Sequence, residues 1–348
     1  MRSKAFSLIA IGVLLANVAV LGADNKRRPA SVRASNQLIR LLPASDAVVT
    51  IDSKRFFNTA LPTLLAKNQR MLAEIMVKMN QFENQTGIDL RRFDSVVAGL
   101  AAVGTPDKNF SVDPVVIARG EIPAAGLVGV AKLASDGKYR EERVGDRVVY
   151  VFSTTDAAAK AKASGTGSLG STIEGIVDGI SKEMAVTQLD GTTVAFGSLA
   201  RVRQTIEGQT SVGADIVGLL SQKASSVVTF AVRSPSGMSA VLPLDDDELG
   251  KNIDAIRYMS GTMDVTAAGA SVYVMARTVE PQQAQSLSET LEGLKILGKV
   301  FLGRSKREDQ RRYARLIESI KVAQAGTDVS LDVTIPKADI DAMASELK

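Results

Sequence analysis

The chain of 348 residues is 45% hydrophobic and 23% charged, which supplies enough apolar material for one large core or two ordinary ones. It contains no Cys, no His and no Trp. A Ser-His-Asp triad, a thiolate nucleophile, a thiolate or imidazole metal site and a disulfide are therefore excluded, and catalysis would need Ser/Lys, carboxylates or Tyr. The net charge of +4 is mild, and with only 4% aromatic residues there are few stacking platforms for nucleic acid.

Arg2 and Lys4 precede an unbroken apolar run, Ala5 to Ala23, followed abruptly by "DNKRRP". A positive flank, an apolar stretch and small residues at its end describe a secretory signal over residues 1–23. The run also approaches the roughly 20 residues that span a bilayer, so retention as an anchor is the alternative to cleavage. Either way the body is expected outside the cytoplasm, periplasmic or extracellular. Without a Cys after the run, a bacterial lipid anchor is excluded.

Residues 24–40 read as a disordered basic leader. "IRLLPASDAVVTID" opens the folded part, with a turn at Pro43 and Ser45 and a strand over Ala47 to Ile51. A helical region follows from Ser53 to Thr86. Asn68 is its internal N-cap and Gly87 its stop, and Met71, Ile75, Met79 and Phe82 share one stripe that reads as core.

Beyond this a theme repeats. "GDRVVY" (145–150), "GTTVAF" (191–196), "GASVYV" (269–274) and "GTDVSL" (326–331) all read Gly-x-x-Val-x-apolar. Gly suits a tight turn and the alternation puts one face of the following strand on a core, so each is predicted to be a β-hairpin. The polar "YREERV" suits an edge strand. Helical patterns follow, with Pro281 and Pro336 near helix starts. The expected class is α+β: antiparallel sheets with helices on one face, built from serial ββα units. "SSVVTFAVRS" (225–234) resembles "SDAVVTID" and opens a second half, giving 41–224 and 225–348 as two related halves, with a flexible linker at about 153–170.

Four motifs invite chemistry. Gly165-x-Gly167-x-x-Gly170 has the dinucleotide spacing, but "TTDAAAKAKAS" before it carries no strand pattern, so it reads as the linker. "PLDDDELG" (243–250) crowds four acids, yet an EF-hand register puts Leu249 and Ile256 at ligand positions. Ser135 and Lys138 have Ser-x-x-Lys spacing across a turn signal rather than along a helix. In "GRSKREDQRRYAR" (303–315), Arg304, Lys306, Arg307, Arg311, Arg312 and Arg315 outnumber Glu308 and Asp309. If helical, this run offers an anionic-surface contact, with Tyr313, Leu316, Ile317 and Ile320 packed beneath.

Four stretches, "LLPASDAVVTID", "TGIDLRRFDSVVAGL" (86–100), "LDGTTVAFGSLARVRQTIEG" (189–208) and "VSLDVTIPKADIDAM" (329–343), resemble a group of uncharacterised exported bacterial proteins. The resemblance implies export and the repeated α+β layout, and brings no catalytic residues. The expectation is a non-enzymatic envelope protein with a binding or structural role, needing no cofactor or metal and binding no nucleic acid. Its partner would be a protein or envelope component, and the membrane only if the N-terminal segment is kept. The alternatives are a carrier of an apolar ligand and a carboxylate- or Ser/Lys-dependent hydrolase.

Overall fold

The computed structural model describes residues 30–105, 108–121, 123–135, 137–153, 183–221, 226–235, 248–305 and 307–346. The apolar leader, the Gly165–Gly170 motif, the linker beyond Ser153 and the acids of 245–247 lie outside the described residues.

The strands in chain order are β1 (Ala47–Asp52), β2 (Phe93–Thr105), β3 (Lys108–Gly120), β4 (Tyr139–Val144), β5 (Arg147–Ser153), β6 (Glu183–Asp190), β7 (Thr193–Ser198), β8 (Val228–Arg233), β9 (Ile256–Thr266), β10 (Gly269–Thr278), β11 (Lys321–Ala325) and β12 (Asp328–Pro336). They join in one twelve-stranded antiparallel sheet, ordered β11-β12-β10-β9-β8-β1-β2-β3-β7-β6-β5-β4. The fold is therefore α+β around a single large sheet. All four Gly-x-x-Val segments lie at hairpins, where Val144 pairs with Arg147, Asp190 with Thr193, Thr266 with Gly269 and Ala325 with Asp328; Gly145, Gly191 and Gly326 open their turns, whereas Gly269 follows the turn at Ala267 and Ala268 as the first residue of β10. Gly145 and Gly326, at φ 60° and 59°, hold the left-handed conformation that the two-residue turns demand.

The edges are polar. "YREERV" is the outer strand β4, as its charge suggested, and the other edge is the short β11, "KVAQA", which is largely exposed. Charge and shortness both discourage pairing with another sheet. At the centre β1 lies beside β8, from Ala47 opposite Val232 to Ile51 opposite Val228. The two segments that look alike in sequence are thus direct neighbours.

The helices are α1 (Ala30–Ile39), α2 (Gln69–Thr86), α3 (Ala124–Ser135), α4 (Leu199–Glu207), α5 (Ala214–Leu220), α6 (Glu248–Asp254), α7 (Pro281–Gly303), α8 (Glu308–Ser319) and α9 (Lys337–Glu346), with short helical turns over 53–64 and 90–92. Two expectations are corrected here. Residues 30–39 of the supposed leader are helical, because Leu38 and Ile39, with Leu42 beyond them, bury against Val48, Val97 and Ile117. The helices also cover both faces of the sheet, not one. On one face α1, α4 and α5 pack on Val151, Ala195, Ala231 and Met275. On the other, α2 and α3 pack on Phe152, Val186 and Phe196, and α7, α8 and α9 on Val329, Met263 and Ile335.

The reason is written in consecutive strand residues. Val151 and Phe152 point to opposite faces and both are buried, as are Ala185 and Val186. A strand apolar on both sides needs cover on both sides. Each of the larger ones, Val151, Phe152 and Val186, contributes about 1.5–3 kcal/mol on burial.

Helix ends follow the predicted signals. The Asn68 side chain accepts a hydrogen bond from the Met71 amide at the start of α2, and Gly87 ends it at φ 74°. At α7, Pro281 opens the helix and Glu280 and Gln283 form a reciprocal capping box.

Candidate functional site

The apolar stripe of α2 turns inward: Met79 is buried and Phe82 packs against the cluster of Phe93 and Phe152. The opposite side of the same helix carries a depression of about 440 Å³ lined by Arg70, Ala73, Glu74, Val77, Lys78 and Gln81. All six residues belong to α2, so no second element closes the depression over a ligand.

Buried polar groups are committed to structure. Arg201 is 4% exposed; its guanidinium donates to the Ala44 carbonyl at 2.7 Å, to Ser45 Oγ at 2.7 Å and to Gln204 Oε1 at 3.1 Å. Among the described residues, Arg201 Nε and Asp113 Oδ1 are the buried side-chain atoms left without a partner. Among the described carboxylates, Asp264 is the one pushed above its ordinary range, by burial, with Arg55 opposing. Its Oδ1 is occupied by Arg55 at 2.6 Å and by the Val265 amide, while nearby Asp52 caps a helical turn through the Arg55 amide. Ser135 donates to the Ala131 carbonyl and is buried at the end of α3, whereas Lys138 is exposed beyond the turn at Gly137. The structure does not bring that pair together as a nucleophile and base. Among the described residues no group of three or more acids converges as a metal site.

The surface that stands out is the pair α7 and α8. The first half of α7 is anchored: Ala284, Leu287 and Leu291 cluster with Ile256, Met259, Val322 and Val329. Past Leu291 the helix keeps its apolar composition, "GLKILGKVFLG", but loses its cover. Leu294, Ile296, Leu297, Val300 and Phe301 are all exposed, Ile296 by 60% and Phe301 by 75%. Spacings of three and four residues make them one continuous ridge, Leu294 to Leu297 to Phe301 beside Ile296 to Val300. The helix is held on its other side by α8: a Cβ at Gly298 would lie 3.1 Å from Ile317 Cδ1, and Gly303 lies beside Ala314.

The basic run that the sequence singled out sits at the tip of this pair, but it does not form one uniform face. Arg307 binds Asp309 at 2.5 Å. Arg312 binds Glu346 of α9 at 2.7 Å and lies 3.9 Å from Asp339, and Arg315 is 3.5 Å from Asp339. The bond to Glu346 raises the Arg312 guanidinium further above its ordinary range. These three arginines staple α8 to its own surroundings and to α9. Lys306 lies outside the described residues. Arg304 and Arg311 are exposed and, among the described residues, have no ion-pair partner. Arg304 directly follows the ridge, and Arg311 is one turn before Ala314. Of the four apolar residues expected beneath the run, Leu316 is buried and Ile317 packs on α7, but Tyr313 is 41% exposed.

The exposed ridge was missed in sequence because Leu294 to Phe301 has the composition of a core helix. The available signal was the all-round distribution: Ile296 and Val300 lie far round the helix from Leu287 and Leu291, too wide an arc for one buried face. Among the described residues no helix is long and apolar enough to cross a membrane.

No family model matches the chain, and no curated protein matches it. Among solved structures it is similar to TP0453. Crystal form III of that protein gives a TM-score of 0.43 at 9% identity, covering 89% of this chain and 98% of the other. Crystal form IV gives 0.44 at 10% identity, covering 88% and 96%. A likeness this remote says nothing of activity.

Proposed function

We propose that this chain is an exported, non-enzymatic envelope protein that works by surface contact, in a binding or structural role. The observation that carries the reading is the uncovered ridge from Leu294 to Phe301. A large apolar surface left on an otherwise well-packed helix marks an interaction site more often than an idle one. Export is supported by the flank of Arg2 and Lys4 and the apolar run from Ala5 to Ala23. The periplasm or the cell exterior is the proposed location, with residues 5–23 as an anchor if they are retained. The proposed partner is an envelope component, with neither cofactor nor nucleic acid involved.

The reading includes a frame of two related halves built from hairpins and helices. Outward from the central pair, the strand sequences β1-β2-β3 and β8-β9-β10 run alike, each ending on a neighbouring hairpin, β6-β7 or β11-β12. The hairpin β4-β5 is then an addition to the first half.

Fractionating cells that express the full chain, and sequencing the N-terminus of the recovered protein, tests the reading. The protein is expected in the envelope or periplasmic fraction. Recovery of the intact chain from the cytosol would overturn it.

A further inference from the structure

We infer that the ridge on the second half of α7, together with Arg304 and Arg311, is a contact site for an anionic lipid bilayer surface. The inference rests on the surface-contact reading above and names its partner.

Three observations point to this occupant. The first is shape. The ridge is the convex side of a helix and its most prominent side chain, Phe301, is three-quarters exposed. A convex apolar ridge suits a deformable phase better than it suits a copy of itself. An interfacial helix buries such a face about 5–10 Å into the boundary between headgroups and acyl chains.

The second is charge. Lys295 and Lys299 flank the ridge along α7, and Arg304 and Arg311 stand at its tip. The two lysines are matched internally, Lys295 by Glu292 and Lys299 by Glu318. The two arginines have no such match among the described residues, and with Glu308 as the one unmatched acid of the run the local excess is still positive. Two copies meeting ridge to ridge would bring four unmatched arginines together. An anionic headgroup layer would instead neutralise them, at a gain in affinity of several-fold per arginine near the surface.

The third is the neighbouring aromatic. Tyr313 on α8 is 41% exposed, with an apolar ring and a polar hydroxyl. That combination suits the zone between acyl chains and headgroups.

The absence of Trp from the chain makes a local test available. The full chain carrying Phe301→Trp is titrated with vesicles of phosphatidylglycerol and phosphatidylcholine in equal parts, and with vesicles of phosphatidylcholine alone. A second full chain carries Val77→Trp, on the exposed side of α2, and reports tethering without insertion. The Phe301→Trp emission is expected to shift to the blue, and to be quenched by brominated acyl chains, on the anionic vesicles. The Val77→Trp emission is expected to stay put. Adding Arg304→Glu and Arg311→Glu to the Phe301→Trp chain should weaken that response on the order of tenfold or more. Adding Leu297→Ser should weaken it while leaving the thermal midpoint unchanged, since Leu297 is 53% exposed.

No shift on anionic vesicles overturns the inference, as does an equal shift on neutral ones. A dimer in sedimentation that dissolves on Leu297→Ser, with no response to vesicles, assigns the ridge to a second copy and likewise overturns it. These outcomes are separate from the location test. A protein found in the envelope fraction whose Phe301→Trp emission ignores lipid sinks the lipid contact alone, whereas a cytosolic protein sinks the reading beneath it.

Discussion

At the scale of single residues, the sheet depends on contacts that a residue-type average conceals. Gly197 in β7 shows this. A Cβ there would sit 2.5 Å from the Pro114 carbonyl oxygen and 2.8 Å from Val115 Cα, both on the adjacent strand β3. Backbone atoms in the middle of a sheet cannot swing aside, so Gly197→Ala should cost about 1–3 kcal/mol of stability. Gly191, in the turn between β6 and β7, has nothing within 4 Å and no positive φ. Gly191→Ala should therefore fall within about 0.5 kcal/mol of the parent. Urea denaturation of the two variants side by side checks the pair, and equal midpoints would contradict the close-approach account. Asp215 offers a second test at this scale. Its carboxylate accepts from Arg233 at 2.7 Å and from the Tyr258 hydroxyl at 3.0 Å. Chiefly through the Arg233 bond, the carboxyl is held below its ordinary range. A group whose folded value is lowered contributes stability above its unfolded value, and loses it as pH falls through the folded one. Asp215→Asn should thus cost about 1 kcal/mol at pH 7, modest because Arg233 is partly solvated. The gap to the parent should begin to close as pH falls below the ordinary aspartate value of about 3.9, and vanish only once pH is below the lowered folded one, where both side chains are neutral. Denaturation midpoints at pH 7, 5 and 3 measure it, and a deficit constant over that range would contradict the assignment.

At the scale of elements, punctuation residues did most of the legible work. Asn68 and Gly87 bracket α2 to the residue, and four hairpins sit where Gly-x-x-Val predicted them, because a turn is decided by two or three local side chains. The hairpin β2–β3 carries no such signature. Its strands have thirteen residues each, apolar toward both faces, and Pro114 sits inside β3 opposite Leu100. Without alternation, and with a proline where strands seldom hold one, the local pattern is silent. Helix α3 was illegible for a related reason: Gly126 and Gly129 interrupt it. They are small because a Cβ at Gly126 would lie within about 3 Å of the Ile88 side chain and the Thr86 carbonyl, and one at Gly129 within about 3 Å of the Thr86 backbone, a tertiary demand that propensity cannot see. The candidate site was half legible. The basic run was visible and Arg307 has its partner Asp309 two residues on, but the pairing of Arg312 and Arg315 depends on Asp339 and Glu346, which only folding brings near. The cap at α2 gives the prediction for this scale. Asn68 Oδ1 accepts from the Met71 amide and its Nδ2 donates to the Ala344 carbonyl at 2.8 Å, so one side chain starts α2 and ties it to the end of α9. Asn68→Ala should destabilise by about 1–2 kcal/mol. It should also speed hydrogen exchange at Met71 and in the last turn of α9. Loss of protection confined to α2 would show that the tie to α9 carries nothing.

At the scale of the molecule, the sheet continues across the boundary at residues 224 and 225 from which two halves were expected. The join is the β1–β8 ladder, and the cover over it is shared. Helix α5, from the first half in sequence, packs Ile216 and Leu219 into the same cluster as Ala231 of β8 and Met275 of β10. Arg233 at the end of β8 reaches both Asp46 and Asp215 across the boundary. The second half therefore borrows its cover on one face from the first. Removed from it, residues 226–348 would expose β8 as an open strand edge, leave Ala231 and Met275 to water, and lose Phe56, Ala60 and Leu64 from the other face, where only α7, α8 and α9 would remain. An uncovered edge of that kind invites pairing with other chains. The expected outcome is that the full chain unfolds in urea in one transition followed alike by circular dichroism and by tyrosine fluorescence. The fragment 226–348 produced alone should aggregate, or melt well below the full chain. Adding residues 30–221 as a separate polypeptide should recover soluble protein, because it restores β1 beside β8 and α5 above them. A fragment that stays monomeric, with the full chain's thermal midpoint, would mean that the shared face contributes little and that the halves are independent units placed side by side.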